Sequence, residues 1–140
     1  MTEPQKKLVK QWVDKALNDL LNVSNNLQAD HTPWDTVCFH CQQAVEKYLK
    51  AILAVQNQPI PRTHDLEQLN NLVRAWIPVA SEYLEDLRWL TTYAVISRYP
   101  VEIIEQFAEE KEGLRAYKIA KAIQNVCEPY IKQSMDQVQG

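Results

Sequence analysis

The sequence predicts an all-α protein, an antiparallel up-and-down four-helix bundle with an additional short helix. Three observations lead there. Apolar residues recur at steps of three and four over long stretches, which is the helical period. Only two glycines occur in 140 residues, one of them at the C-terminus, so little interrupts those stretches from within. Prolines at 59, 61, 78 and 100 fall between the periodic stretches, where a missing N–H stops a helix. At this length one domain is the simplest organisation, with roughly two-thirds of the unfolded surface buried. We assign residues 5–132 to that domain and residues 133–140 to a frayed tail.

The first helix is expected over about Gln5 to Leu27. Val9, Val13, Ala16, Leu20, Val23 and Leu27 form its core seam, with Trp12 and Asp19 seven apart on its flank. Asp19 suits either a bond to a neighbouring helix or open solvent. The central helix begins at Thr32-Pro33-Trp34-Asp35, with Thr32 as cap, Pro33 at the first helical position and Asp35 at the positive end of the dipole. It runs to about Gln56 and is apolar over most of its circumference, as expected of a helix with several packed neighbours. One polar strip remains, His40, Gln43, Lys47 and Lys50, with Gln42 and Glu46 beside it.

A short helix carrying Leu66, Leu69, Leu72 and Val73 follows, capped by Thr63 or Asp65. The next helix is expected from about Val79 to Ser97, with Tyr83, Leu87, Leu90 and Ala94 on one face. Residues 101–111 read as a connection, and the last helix begins near Glu112, with Pro129 inside its end.

Several function classes drop out. Two glycines cannot supply the glycine-rich loops that cradle phosphates in Walker and dinucleotide-binding sites. No window approaches the ~18 apolar residues of a membrane span, and the N-terminal stretch lacks the apolar core of a secretion signal, so a cytoplasmic protein without membrane contact is expected. Cys38 and Cys41 bracket His40 in a C-x-x-C, but a structural zinc site wants four ligands and no second pair exists. Both read as core residues, and neither a metal nor a cofactor is expected. A net charge of −3 gives no global pull on nucleic acid. The basic stretch at residues 1–15 and the acidic one at 102–112 read as solvated faces.

Chemistry is expected where polar groups collect: the strip on the central helix, the Arg62-Thr63-His64-Asp65 turn, and Arg98-Tyr99. Lys47, Lys50, Arg62 and Arg98 together would make an anion site despite the acidic total, since phosphate recognition takes several donors at once. Taken singly, His64-Asp65 reads as a helix cap and the lysines as the solvent side of their helix.

The run Cys38-Phe39-His40-Cys41-Gln42-Gln43-Ala44-Val45-Glu46-Lys47-Tyr48-Leu49-Lys50-Ala51, followed by Thr63-His64-Asp65-Leu66 and then Ser97-Arg98-Tyr99-Pro100, resembles the HEPN domain of prokaryotes, a nucleotide-binding family. The likeness spans about residues 8–132. It implies a bundle of four long helices and a short one, commonly a homodimer, that binds a nucleotide or RNA. Small members are often paired with a minimal nucleotidyltransferase partner in toxin–antitoxin-like modules, and many members are metal-independent endoribonucleases. On this likeness Gln43, Lys47, Lys50, Arg62, Arg98 and Tyr99 are the expected phosphate- and nucleotide-binding residues, with His64 and Arg98 in catalysis if there is any. The family's ribonuclease motif places a His four to six residues after an Arg. Here the positions after Arg98 hold Ile103, Ile104 and Glu105, and those after Arg88 hold Tyr93, Ala94 and Val95. The acid–base group of 2′-hydroxyl attack is therefore absent from its usual place. A protein-interaction module whose polar strip fixes dimer register is the third expectation.

Overall fold

The computed structural model describes residues 1–77, 82–96 and 108–137. Among these, six helical elements occur in the order α1 (Glu3–Leu27), α2 (Trp34–Val55), α3 (Leu66–Val73), α4 (Leu84–Thr91), α5 (Tyr93–Ile96) and α6 (Glu110–Asp136). The all-α expectation holds. Helix α2 sits in the middle and touches every other element. Val37, Cys38, Cys41, Ala44, Val45, Tyr48, Ala51 and Ile52 along it are fully buried. Each large side chain taken out of water there contributes about 1.5–3 kcal/mol.

Helix α1 packs antiparallel to α2. Gln5 donates to the Ala54 and Val55 carbonyls at 3.0 Å, which are orphan acceptors at the end of α2. At the other end Asp19 meets His40. Helix α6 instead runs parallel to α2, as alternate helices of an up-and-down bundle do. Gly113 lies against the Trp34 ring near both N-termini, and an added Cβ would come within 2.4 Å of it. Near both C-termini, Tyr48 donates to Glu128 at 2.7 Å and Gln56 bonds Tyr130.

Local chemistry moves three boundaries. The cap of α2 is Pro33, and Thr32 makes no capping bond; Asp35 does lie in the first turn. Both ends of the helix expected from Val79 to Ser97 lie outside the described residues, and the described part is broken at Thr92 into α4 and α5. Thr91 donates through its hydroxyl to the Leu87 carbonyl at 2.8 Å, and Thr92 to the Trp89 carbonyl at 2.7 Å. Two consecutive β-branched residues bonding back to the previous turn compete with the helical ladder. The Thr91 hydroxyl also accepts the Leu66 N–H at 3.0 Å, tying the break to the start of α3. Helix α6 begins at Glu110, two residues early, because Glu109 and Glu112 form a reciprocal capping box. It continues to Asp136, beyond the expected start of the tail.

The end of α2 sets the stage for the functional surface. Asn57 adopts a left-handed φ of 53°. The Gln58 N–H then donates to the Leu53 carbonyl at 2.9 Å, and the Asn57 N–H to the Ala54 carbonyl at 3.1 Å. That pair of bonds is a Schellman C-cap, and it turns the chain sharply into Pro59-Ile60-Pro61.

Candidate phosphate site

The polar strip of α2 is covered by α1 on one side and by the turn after Pro61 on the other. It resolves into two clusters, each built on one buried carboxylate.

Glu46, 4% exposed, anchors the first. Its Oε2 accepts from Lys50 at 3.0 Å, one helical turn away, so the two buried charges offset one another. Its Oε1 bonds His64 Nδ1 at 2.8 Å and lies 3.4 Å from Gln42 Nε2. Gln42 also donates to the His64 carbonyl at 3.0 Å, and Gln43 donates to Gln42 Oε1 at 2.6 Å. His64 is thus held by its ring and by its backbone. An ionised carboxylate only accepts hydrogen bonds, so Nδ1 carries a proton and Nε2 is the ring atom left for a ligand. The His64 side chain is half exposed. Arg62, two residues earlier, is exposed and has no ion pair among the described residues. Asp65 caps α3 by accepting the Glu67 and Gln68 N–H groups, which fixes the turn from its far side.

Asp19, 5% exposed, anchors the second cluster. It bonds His40 Nδ1 at 2.7 Å and also pairs with Lys47. This settles the open reading of Asp19: it pins α1 to α2. The Trp12 ring of α1 meets Lys50 of the first cluster, whose Nζ lies 5.5 Å from its centroid, and Lys15 Nζ lies 5.8 Å from the same ring.

Of the residues expected at the site, Gln43 and Lys50 are buried and engaged beneath His64. Lys47 belongs to the Asp19 cluster. Arg62 and His64 present polar groups to solvent. Arg98 and Tyr99 lie outside the described residues. Glu46 and Gln42, named with the polar strip but not among the expected binding residues, are the two that organise the turn. Their signal was present: Glu46 and Lys50 have the four-residue spacing of a helical ion pair, and Gln42 and Glu46 share that spacing too.

The cysteines take no part. Burial, then the nearby Glu112 and Asp35 charges, pushes the Cys38 thiol up to about 12, although a bond from Tyr93 opposes this. Burial likewise pushes Cys41 upward and Cys127 to about 12. Such thiols stay protonated and are poor nucleophiles and poor metal ligands. Among the described residues no group of three or more His, Cys, Asp or Glu is placed to hold a metal ion. No helix among them is long and apolar enough to cross a membrane.

A central helix flanked by α1 and α6, with a histidine turn strapped onto its polar strip, defines an all-α bundle with one polar surface at the α2–α3 junction. Residues 9–130 match the HEPN domain, and the chain belongs to that family. No curated protein and no solved structure matches it.

Proposed function

We propose that this HEPN domain binds a nucleotide or RNA, and that it reads phosphate at the Arg62–His64 turn. The observation that carries the reading is the His64 ring, fixed at Nδ1 by buried Glu46, with Nε2 turned to a ligand beside an exposed guanidinium that has no ion pair among the described residues. Arg62 supplies a charged fork suited to phosphate oxygens. Lys50 and Gln43 act from beneath: Lys50 offsets the charge of Glu46, and Gln43 orients Gln42. Lys47 contributes positive charge from the adjoining cluster. Arg98 adds a second phosphate donor and Tyr99 a stacking surface for a base. Calorimetric titration with ATP and with a short oligoribonucleotide tests this. Saturable binding, weakened at least ten-fold by Arg62→Ala and by Arg98→Ala, is the expected result. No binding of either ligand, or binding untouched by both substitutions, overturns it.

The same ring geometry favours a second reading, a metal-independent endoribonuclease. A histidine held by a carboxylate at one nitrogen can take a proton at the other. His64 would accept the 2′-hydroxyl proton as that oxygen attacks phosphorus. The bond to the 5′-oxygen then breaks, and that oxygen takes up the proton released by the His64 imidazolium through solvent, leaving a 2′,3′-cyclic phosphate and a 5′-hydroxyl. RNA cleavage in EDTA that disappears in His64→Ala supports the role; cleavage that persists in that variant excludes it.

Homodimerisation and pairing with a nucleotidyltransferase in a toxin–antitoxin-like module rest on the family likeness. Light scattering of the chain alone, and with a nucleotidyltransferase encoded beside it, tests them. A monomer that captures no such partner contradicts both.

A further inference from the structure

A groove opens where the α2 C-cap meets the end of α3. Its volume is about 310 Å³, and its lining is Leu53, Gln58, Pro59, Ile60, Pro61, Leu72 and Trp76. That size lies at the small end of the ~300–1,000 Å³ range of small-molecule pockets. The walls are rigid for local reasons. The Schellman cap fixes Gln58, and the two prolines fix φ on either side of Ile60. The Trp76 backbone N–H donates to the Val73 carbonyl at 2.9 Å, which fixes the main chain that carries the indole. Flat pyrrolidine and indole surfaces therefore face a space that no described residue fills. Leu72 is 44% exposed at its rim. One polar group joins this lining. The Gln58 amide nitrogen donates to the Gln56 carbonyl at 3.2 Å, leaving its Oε1 as an acceptor.

The groove and the histidine turn lie on the same face of α2. Leu53 and Glu46 are seven residues apart, two turns, which puts them in line and about 10 Å apart along the axis. Residues 58–64 span the gap, with the groove lining at one end and His64 on Glu46 at the other. Residues 58–64 thus line one side of an apolar slot, with Gln58 Oε1 as a side-chain acceptor, and then carry a guanidinium and an imidazole. A base with an exocyclic amine needs the first, and a chain of phosphates needs the second.

We infer that the Leu53–Gln58–Leu72–Trp76 groove is the base pocket of a nucleotide with an amine-bearing base, such as adenine, whose phosphates reach Arg62 and His64. This rests on the phosphate reading given above. The base stacks on Trp76 and Pro61, and its amine donates to Gln58 Oε1.

Calorimetry on the full chain, with ATP and inorganic tripolyphosphate as parallel ligands, separates the two claims. ATP should bind at least ten-fold more tightly than tripolyphosphate. Trp76→Ala should remove that advantage, because base–aromatic stacking accounts for differences of this order, while tripolyphosphate binding stays unchanged. Leu72→Glu, at the exposed rim, should weaken ATP alone by a similar factor, and it decides the matter if Trp76→Ala fails to fold. Equal affinities for ATP and tripolyphosphate, or ATP binding indifferent to the substitutions, overturn the base pocket and leave the phosphate site standing. Failure of both ligands to bind overturns both.

Discussion

Glu46 is the residue on which the surface chemistry depends. It is buried, it faces Lys50 and His64, and Gln42 reaches it from the preceding turn. Glu46→Ala leaves the Lys50 ammonium buried without its partner, which costs about 3–5 kcal/mol. Urea unfolding should show that loss as a lower midpoint at unchanged slope. The thiols give a second prediction at this scale. Cys38 and Cys127 ionise near 12 in the folded chain, against about 9.0 ordinarily, and Cys41 is raised in the same direction. A raised folded value means the unfolded chain releases its protons first. Stability is therefore complete below about pH 9 and falls as pH rises from 9 towards 12, by ~1.4 kcal/mol per unit for each thiol. A thiol reagent such as Ellman's should label none of the three in the native protein at pH 8 and all three in denaturant. Native labelling would contradict the burial assigned to them.

Among the helices, α6 meets α2 at Gly113, which lies against the Trp34 ring. An alanine there gains up to ~1 kcal/mol of helix propensity, but its Cβ would meet the Trp34 ring at 2.4 Å. Overpacking of this kind costs about 1–3 kcal/mol. The clash wins, so Gly113→Ala should lower the melting temperature, and an unchanged or raised one would contradict the packing. How much could be read in advance also shows at this scale. Long helices were legible because period and proline position act locally: α1, α2, α3 and α6 lie close to where apolar spacing put them. The break at Thr92 was not, because threonine bonding back to a carbonyl leaves the apolar period intact. The early start of α6 needed Glu109 to be seen as the partner of Glu112, and glutamate is a weak capping residue.

For the whole molecule, the same division holds in the site. The strip His40, Gln43, Lys47 and Lys50 was visible as a polar seam on an apolar helix, but sequence spacing cannot say what covers such a seam. The fold supplies two covers, α1 through Asp19 and the post-helix turn through His64, and so divides the strip in two. Asp19→Ala removes the acceptor for both His40 and Lys47. With Lys47 still partly exposed and able to rehydrate, about 2 kcal/mol of stability should be lost. Because Asp19 and the histidine turn bond different residues of the strip, phosphate binding at Arg62 and His64 should survive this loss, as ATP calorimetry on the folded variant can check. The turn itself is a junction of three decisions: the cap that ends α2, the prolines that carry the chain outward, and the Glu46 bond that brings it back. Together they place an imidazole and a guanidinium at the surface of an otherwise acidic protein.

The central claim is that this junction contacts phosphate, and the His64 ring reports on it directly. In a long-range proton–nitrogen NMR spectrum of the histidine rings, ATP should shift the His64 Nε2 resonance saturably. The Nδ1 proton should remain bonded to Glu46, and Arg62→Ala should shift the titration midpoint to at least ten-fold higher ATP. A His64 ring unmoved at ATP concentrations that saturate the protein by calorimetry would contradict the account.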